Sequence, residues 1–129
     1  MSVIRSLKKG FTFGYLNEVH GDYAIHENNA SAGAKGASCE KYLRLRRALI
    51  RGFKELMEEE SFNESEKKAL NERIAGEHFW NIGYNIFWKK GDAKSAIAEY
   101  KKALAITPFD FRMLKTYFLA KCRANKLRA

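Results

Sequence analysis

The side chains able to do chemistry are few and scattered. His20, His26 and His78, the thiols Cys39 and Cys122, and the acids Glu18, Asp22 and Glu27 are the candidates. A divalent cation needs several oxygen ligands converging on one point, and no spacing marks Glu18, Asp22 and Glu27 as such a set. The sequence has no Ser-His-Asp pattern, no glycine-rich phosphate loop and no HExxH. Cys39 and Cys122 lie far apart, without metal-ligand spacing or a disulfide framework. They read as buried thiols and favour a reducing compartment. His20 reads as a turn residue and His78 as a helix-surface residue. His26 closes a short extended run, where a hydrogen bond to the following loop is the plain reading.

Helices must position whatever these residues do. The stretch from Glu77 to Asp110 organises the chain. Gly91 can take the left-handed conformation that ends a helix, and Asp92 can cap the next one by accepting from its first N–H groups. Ala96, Ile97, Tyr100, Ala103 and Leu104 then recur at three- and four-residue spacing, an apolar stripe. Pro108 disfavours helix at Thr107 and ends the run. Trp80, Gly91, Asp92, Ala96, Tyr100, Ala103 and Pro108 together resemble the tetratricopeptide repeat, a helix-turn-helix unit of about 34 residues. The first helix departs from the pattern, because Asn81-Ile82-Gly83-Tyr84 stands one residue out of phase. A single repeat cannot bury its own face, so neighbouring helices must cover it.

Those neighbours are legible. Residues 40–60 predict a helix capped by Ser38, with Tyr42, Leu45, Leu49, Phe53 and Leu56 inward and Arg44, Arg47 and Arg51 on the basic surface. Asn63 and Glu66 have capping-box spacing and open a helix that runs toward Lys90, with Gly76 able to bend or split it. The aromatics Phe79, Trp80, Tyr84, Phe87 and Trp88 read as core rather than a ligand-stacking platform. A last helix over 109–123 turns Phe111, Leu114, Phe118 and Cys122 to one face. Thr107 is its expected cap, and Arg112, Lys115 and Arg123 lie outside.

The opening is different in kind. Val3, Ile4 and Leu7 form the end of an amphipathic helix that stops at Gly10. Residues 11–16 and 23–26 read as two short strands with a turn between them, and 27–36 as a loop. The expected fold is therefore mainly α: antiparallel helical hairpins, tetratricopeptide-repeat-like, preceded by a short β-hairpin or extended segment. Residues 1–36 form the N-terminal part and 37–129 the helical domain.

Tyr23, His26, Asn29 and Ser31 carry a second resemblance. An aromatic-x-x-His followed by Asn and Ser, ahead of a helical tail with Gly-Asp-x-x-x-Ala, is similar to the end of the catalytic domain of family-2 glycosyltransferases. The resemblance implies that His26 contacts the divalent metal and nucleotide sugar, and that the Asn29 and Ser31 loop borders the acceptor. The Asp-x-Asp metal motif and the nucleotide-binding βαβ unit of that family are missing here. The chain would then be a non-catalytic tail, inactive alone, with no cofactor of its own and a divalent metal only where a catalytic domain is present.

Composition sets the remaining bounds. With 24 Lys and Arg against 15 Asp and Glu, the net charge is +9, which favours acidic proteins, anionic membrane surfaces or nucleic acid as partners. The basic residues are spread over several helices with no reading motif, so nucleic acid is the weakest of the three. No apolar run reaches membrane-spanning length and the start lacks a signal-peptide core. The expected setting is cytoplasmic, possible at the membrane periphery. Three functions compete: the helical tail of a sugar-transfer enzyme contacting its own catalytic domain or a protein partner, a free-standing repeat-like adaptor, and a basic nucleic-acid-binding module.

Overall fold

The computed structural model describes residues 2–12, 14, 18, 21 and 39–128. Among them are five α-helices and one π-helical segment, and no strand. The expected strand at 23–26 lies outside the described residues, as does Ser38. Of the one at 11–16, Phe11, Thr12 and Gly14 are described and carry no regular structure.

The chain divides into two compact units, Met1–Tyr42 and Leu43–Ala129. The first contains α1 (Ser2–Lys8). It ends where Gly10 takes φ +83° and donates its N–H to Leu7 O at 3.0 Å, the left-handed stop that glycine adopts without steric cost. Helix α2 (Cys39–Glu59) crosses into the second unit. It ends in Glu58 and Glu59, where the helix dipole disfavours negative charge.

In the second unit α3 (Glu64–Gly76) opens with a complete capping box. Glu66 N–H donates to Asn63 Oδ1 at 2.8 Å, and Asn63 N–H donates to Glu66 Oε2 at 2.9 Å. The chain does not break at Gly76, whose backbone stays helical. The hydrogen-bonding step widens instead, and Glu77–Trp88 is π-helical. Lys89 N–H reaching Tyr84 O at 3.2 Å is one such five-residue step. Gly91 then turns at φ +83°, Asp92 accepts from Ser95 N–H at 3.0 Å, and α4 (Ala93–Ile106) begins. Its most extensive packing is against the π-helical segment.

Helix α5 (Phe111–Arg128) packs on α4. Asp110 caps it, accepting from Met113 N–H at 3.0 Å, in place of the expected Thr107. The Thr107 N–H and hydroxyl both go to Ala103 O, closing the end of α4. The core joins Ala75 and Phe79 to Ala96, Tyr100 and Ala103 and to Met113 and Ala120, with Trp80, Phe87, Trp88 and Leu104 packed around it.

Helix α5 is turned from its expected face, whereas α2 buries Phe53 and Leu56 as expected and departs only at Leu45 and Ile50. In α2 the buried residues are Ile50, Phe53 and Leu56, while Leu45 is exposed. Arg46 lies four residues before Ile50 on the same side and reaches Glu77, so a charge shares the inward face. In α5 the inward residues are Met113 and Ala120, and Phe111, Phe118 and Cys122 face out. The small Ala120 lets α5 lie close to α4, which the bulky face would prevent.

Candidate functional site

The densest polar chemistry in the described residues is a buried network centred on Glu77 and Glu99, both essentially inaccessible to solvent. Burying a carboxylate is costly unless it is paired and hydrogen-bonded. Glu77 meets Arg73 Nη2 at 2.8 Å and Arg46 Nη1 at 3.2 Å, and accepts from Asn81 Nδ2 at 2.9 Å. Glu99 meets His78 Nδ1 at 2.7 Å, Lys102 Nζ at 2.8 Å and Arg47 Nη2 at 3.3 Å.

The π-helical segment brings these groups to the seam. A five-residue step stacks residues four and five apart. Glu77 thus shares a side with Ile82, His78 with Ile82 and Gly83, and Phe79 with Gly83, and all of them are buried. At Gly83 the Tyr100 ring of α4 lies directly against the backbone. A Cβ there would lie 2.8 Å from Tyr100 Cε1 and 3.1 Å from His78 O. Phe79 stacks on the same Tyr100 ring, with centroids 4.1 Å apart.

Burial alone raises the Glu99 pKa. Hydrogen bonds and charge from His78 and Lys102 outweigh it and lower the value to about 2. The carboxylate is therefore ionised at neutral pH and accepts only, so His78 Nδ1 is the donor and Nε2 is left as the second ring position. A carboxylate-oriented imidazole is half of a general-base arrangement. The partners here are cations on α2 and α4, and the geometry serves to join α2, the π-helical segment and α4. Tyr100 is raised to about 12 by burial and by the neighbouring Tyr84, and its buried hydroxyl has no hydrogen-bond partner.

The sequence-predicted residues fare unevenly. His20, His26, Asn29 and Ser31, with Tyr23, Asp22 and Glu27, lie outside the described residues. His78 is not on the surface as expected but buried against Glu99, because the widened turn carries it to the seam. Cys122 is exposed rather than buried, on the outward face of α5. Trp80 is only partly buried, with Arg112 over its ring at 5.7 Å, and Phe79 holds the fully buried place beside it. Arg47 is exposed as expected on the basic surface, and its guanidinium also reaches Glu99. Arg44, Arg51, Lys115 and Arg123 are exposed.

Neither Glu77 nor Glu99 stands out as a site residue in the sequence. The available signal was position: Glu99 lies next to Tyr100 and three residues after Ala96, inside the apolar stripe, and Glu77 opens the aromatic run. Among the described residues no group of three or more His, Cys, Asp or Glu side chains could hold a metal ion. A cleft of about 690 Å³ between α3 and the α4–α5 connection is lined by Lys67, Lys68, Glu64, Glu72 and Asp110 beside Pro108 and Phe109, a mixed-charge wall with no single chemical preference.

No family model, curated protein or solved structure matches the chain.

Proposed function

We propose that this chain is a non-catalytic helical scaffold of tetratricopeptide-repeat type, acting as the C-terminal tail of a family-2 glycosyltransferase. The observation that carries the reading is the Gly83–Tyr100 seam, where the Tyr100 ring of one helical segment packs directly on the backbone of the other across the Gly91-Asp92 turn. Counted from Phe79 rather than Trp80, the first segment by itself is in phase with the repeat pattern, and the second, which keeps its spacing from Trp80, then follows one residue late. Phe79, Ile82, Gly83 and Ile86 take the positions aromatic-x-x-Leu-Gly-x-x-Tyr, and Ala96, Tyr100 and Pro108 follow in the second. Every one of the first four is buried, as a repeat of this kind requires. Helix α3 packs on both members of the pair and α5 packs on α4.

The ion network fits a scaffold better than a reaction centre. Its carboxylates are saturated by cations, which leaves no open ligand position and fixes the mutual register of three segments. The sugar-transfer context comes from Tyr23, His26, Asn29 and Ser31 in the sequence. It is tested by incubating the full chain with UDP- and GDP-hexoses in the presence of Mg²⁺ or Mn²⁺. The expected result is neither transfer nor hydrolysis of the nucleotide sugar, and no heat of binding by calorimetry. Turnover by the chain alone would end the non-catalytic reading.

A further inference from the structure

Helix α5 turns a face outward that its sequence does not explain as a plain solvent surface. Phe111 is 78% exposed and Phe118 is 60% exposed, and Leu119 stands beside them. Phe109, just ahead of the helix, is 94% exposed. Phe111 and Phe118 are seven residues apart and share one side, while Met113 and Ala120, also seven apart, mark the buried side. Folding has thus chosen the smaller face for the core and left the larger apolar one uncovered.

The charges around that face are of one sign. The helix holds no Asp or Glu. Lys115 and Lys126 lie within the exposed strip, Arg112 and Arg123 flank it on one side and Lys121 on the other. Among the described residues no carboxylate pairs with Lys115, Arg123 or Lys126. Phenylalanine and leucine at the centre, with long cationic side chains on both flanks, is the composition of a helix that lies in a membrane interface. The apolar groups enter the acyl boundary and the lysine and arginine stems extend to the phosphates.

We propose that α5 docks on an anionic lipid bilayer, with Phe111, Phe118 and Leu119 in the interface and the flanking cations against lipid phosphates. Charge complementarity selects this occupant. A second copy of the chain would set the cationic flanks of this face against one another. Single-stranded nucleic acid is held in a basic groove with aromatic platforms, and α5 is a convex rod. Docking of this kind needs α5 alone and is independent of any sugar-transfer context.

The test is co-sedimentation of the full chain with vesicles of phosphatidylcholine alone and of phosphatidylcholine with phosphatidylglycerol. The chain is expected to sediment with the anionic vesicles only, and less at high salt. Phe111→Ser with Phe118→Ser should lower partitioning about tenfold or more. Lys115→Gln and Lys126→Gln should lower it about fivefold each. Arg51→Gln and Lys54→Gln on α2 should leave it within about twofold, since these exposed cations lie on another helix. All variants replace exposed residues, and circular dichroism checks that they fold. Failure to sediment with anionic vesicles overturns the proposal, as does equal binding to neutral ones. Sedimentation that the phenylalanine pair does not affect also overturns it, and points to an acidic macromolecule recognised by charge alone.

Discussion

Gly83 has no side chain where Tyr100 needs the room. The missing Cβ would fall 2.8 Å from one ring carbon and 2.9 Å from the next, and stacking on Phe79 stops the ring from yielding. Gly83→Ala is therefore expected to destabilise the fold by about 1–3 kcal/mol through overpacking, despite the better helix propensity of alanine, as read by urea denaturation. Tyr100→Phe should cost nothing or stabilise slightly, because it removes a buried hydroxyl that has no partner. Glu99 makes the opposite case. Its folded pKa of about 2 lies below the ordinary value of 4.5. A depressed carboxyl contributes its full stability above the unfolded pKa and loses it as pH falls through the folded one. Glu99→Gln should thus cost about 2 kcal/mol at neutral pH. The gap between variant and wild type should close between pH 4.5 and about 2. A gap that stayed constant across that range would show that the carboxylate charge is not what joins the helices.

At the scale of elements, the local rules were readable and the inward faces only in part. Gly91, Asp92, the Asn63–Glu66 box and the stop before Pro108 each depend on a residue or two and a backbone angle, so the sequence states them directly. Which way a helix turns depends on what lies opposite. In α2 Leu45 and Leu49 look as suitable as Ile50, until Glu77 across the seam demands Arg46. In α5 the pattern at 111, 114, 118 and 122 is the more apolar, yet Ala120 permits closer approach to α4. The π-helical step has no sequence signature of its own, and it is what carries His78 and Glu77 inward. The face assignment of α5 has a direct measurement. Met113→Ala should cost about 2–5 kcal/mol as a buried truncation, and Phe118→Ala should change stability by no more than about 0.5 kcal/mol. The reverse order in thermal or chemical unfolding would mean that the outward face is the packed one.

For the whole molecule the question is what the net charge of +9 does to stability. Two effects of salt oppose one another. Screening weakens repulsion among exposed lysines and arginines, such as those along α5, and so favours the compact state. Screening also weakens ion pairs, but strongly only for exposed ones such as Lys67–Glu64 and Lys68–Glu72, which contribute little. The pairs that join helices end on Glu77 and Glu99, whose side chains are 0% and 3% accessible, so with one partner buried they are screened less than the fully exposed pairs. Repulsion should therefore dominate the balance. Raising NaCl from about 0.05 M to about 0.5 M shortens the screening length from well above 10 Å to well below it, and the melting temperature is expected to rise by a few degrees. The same titration on Glu99→Gln should show a larger rise, since that variant adds one more uncompensated positive charge without removing any. A fall in melting temperature with salt would mean that solvent-exposed pairs, and not the two buried carboxylates, hold the helices in register.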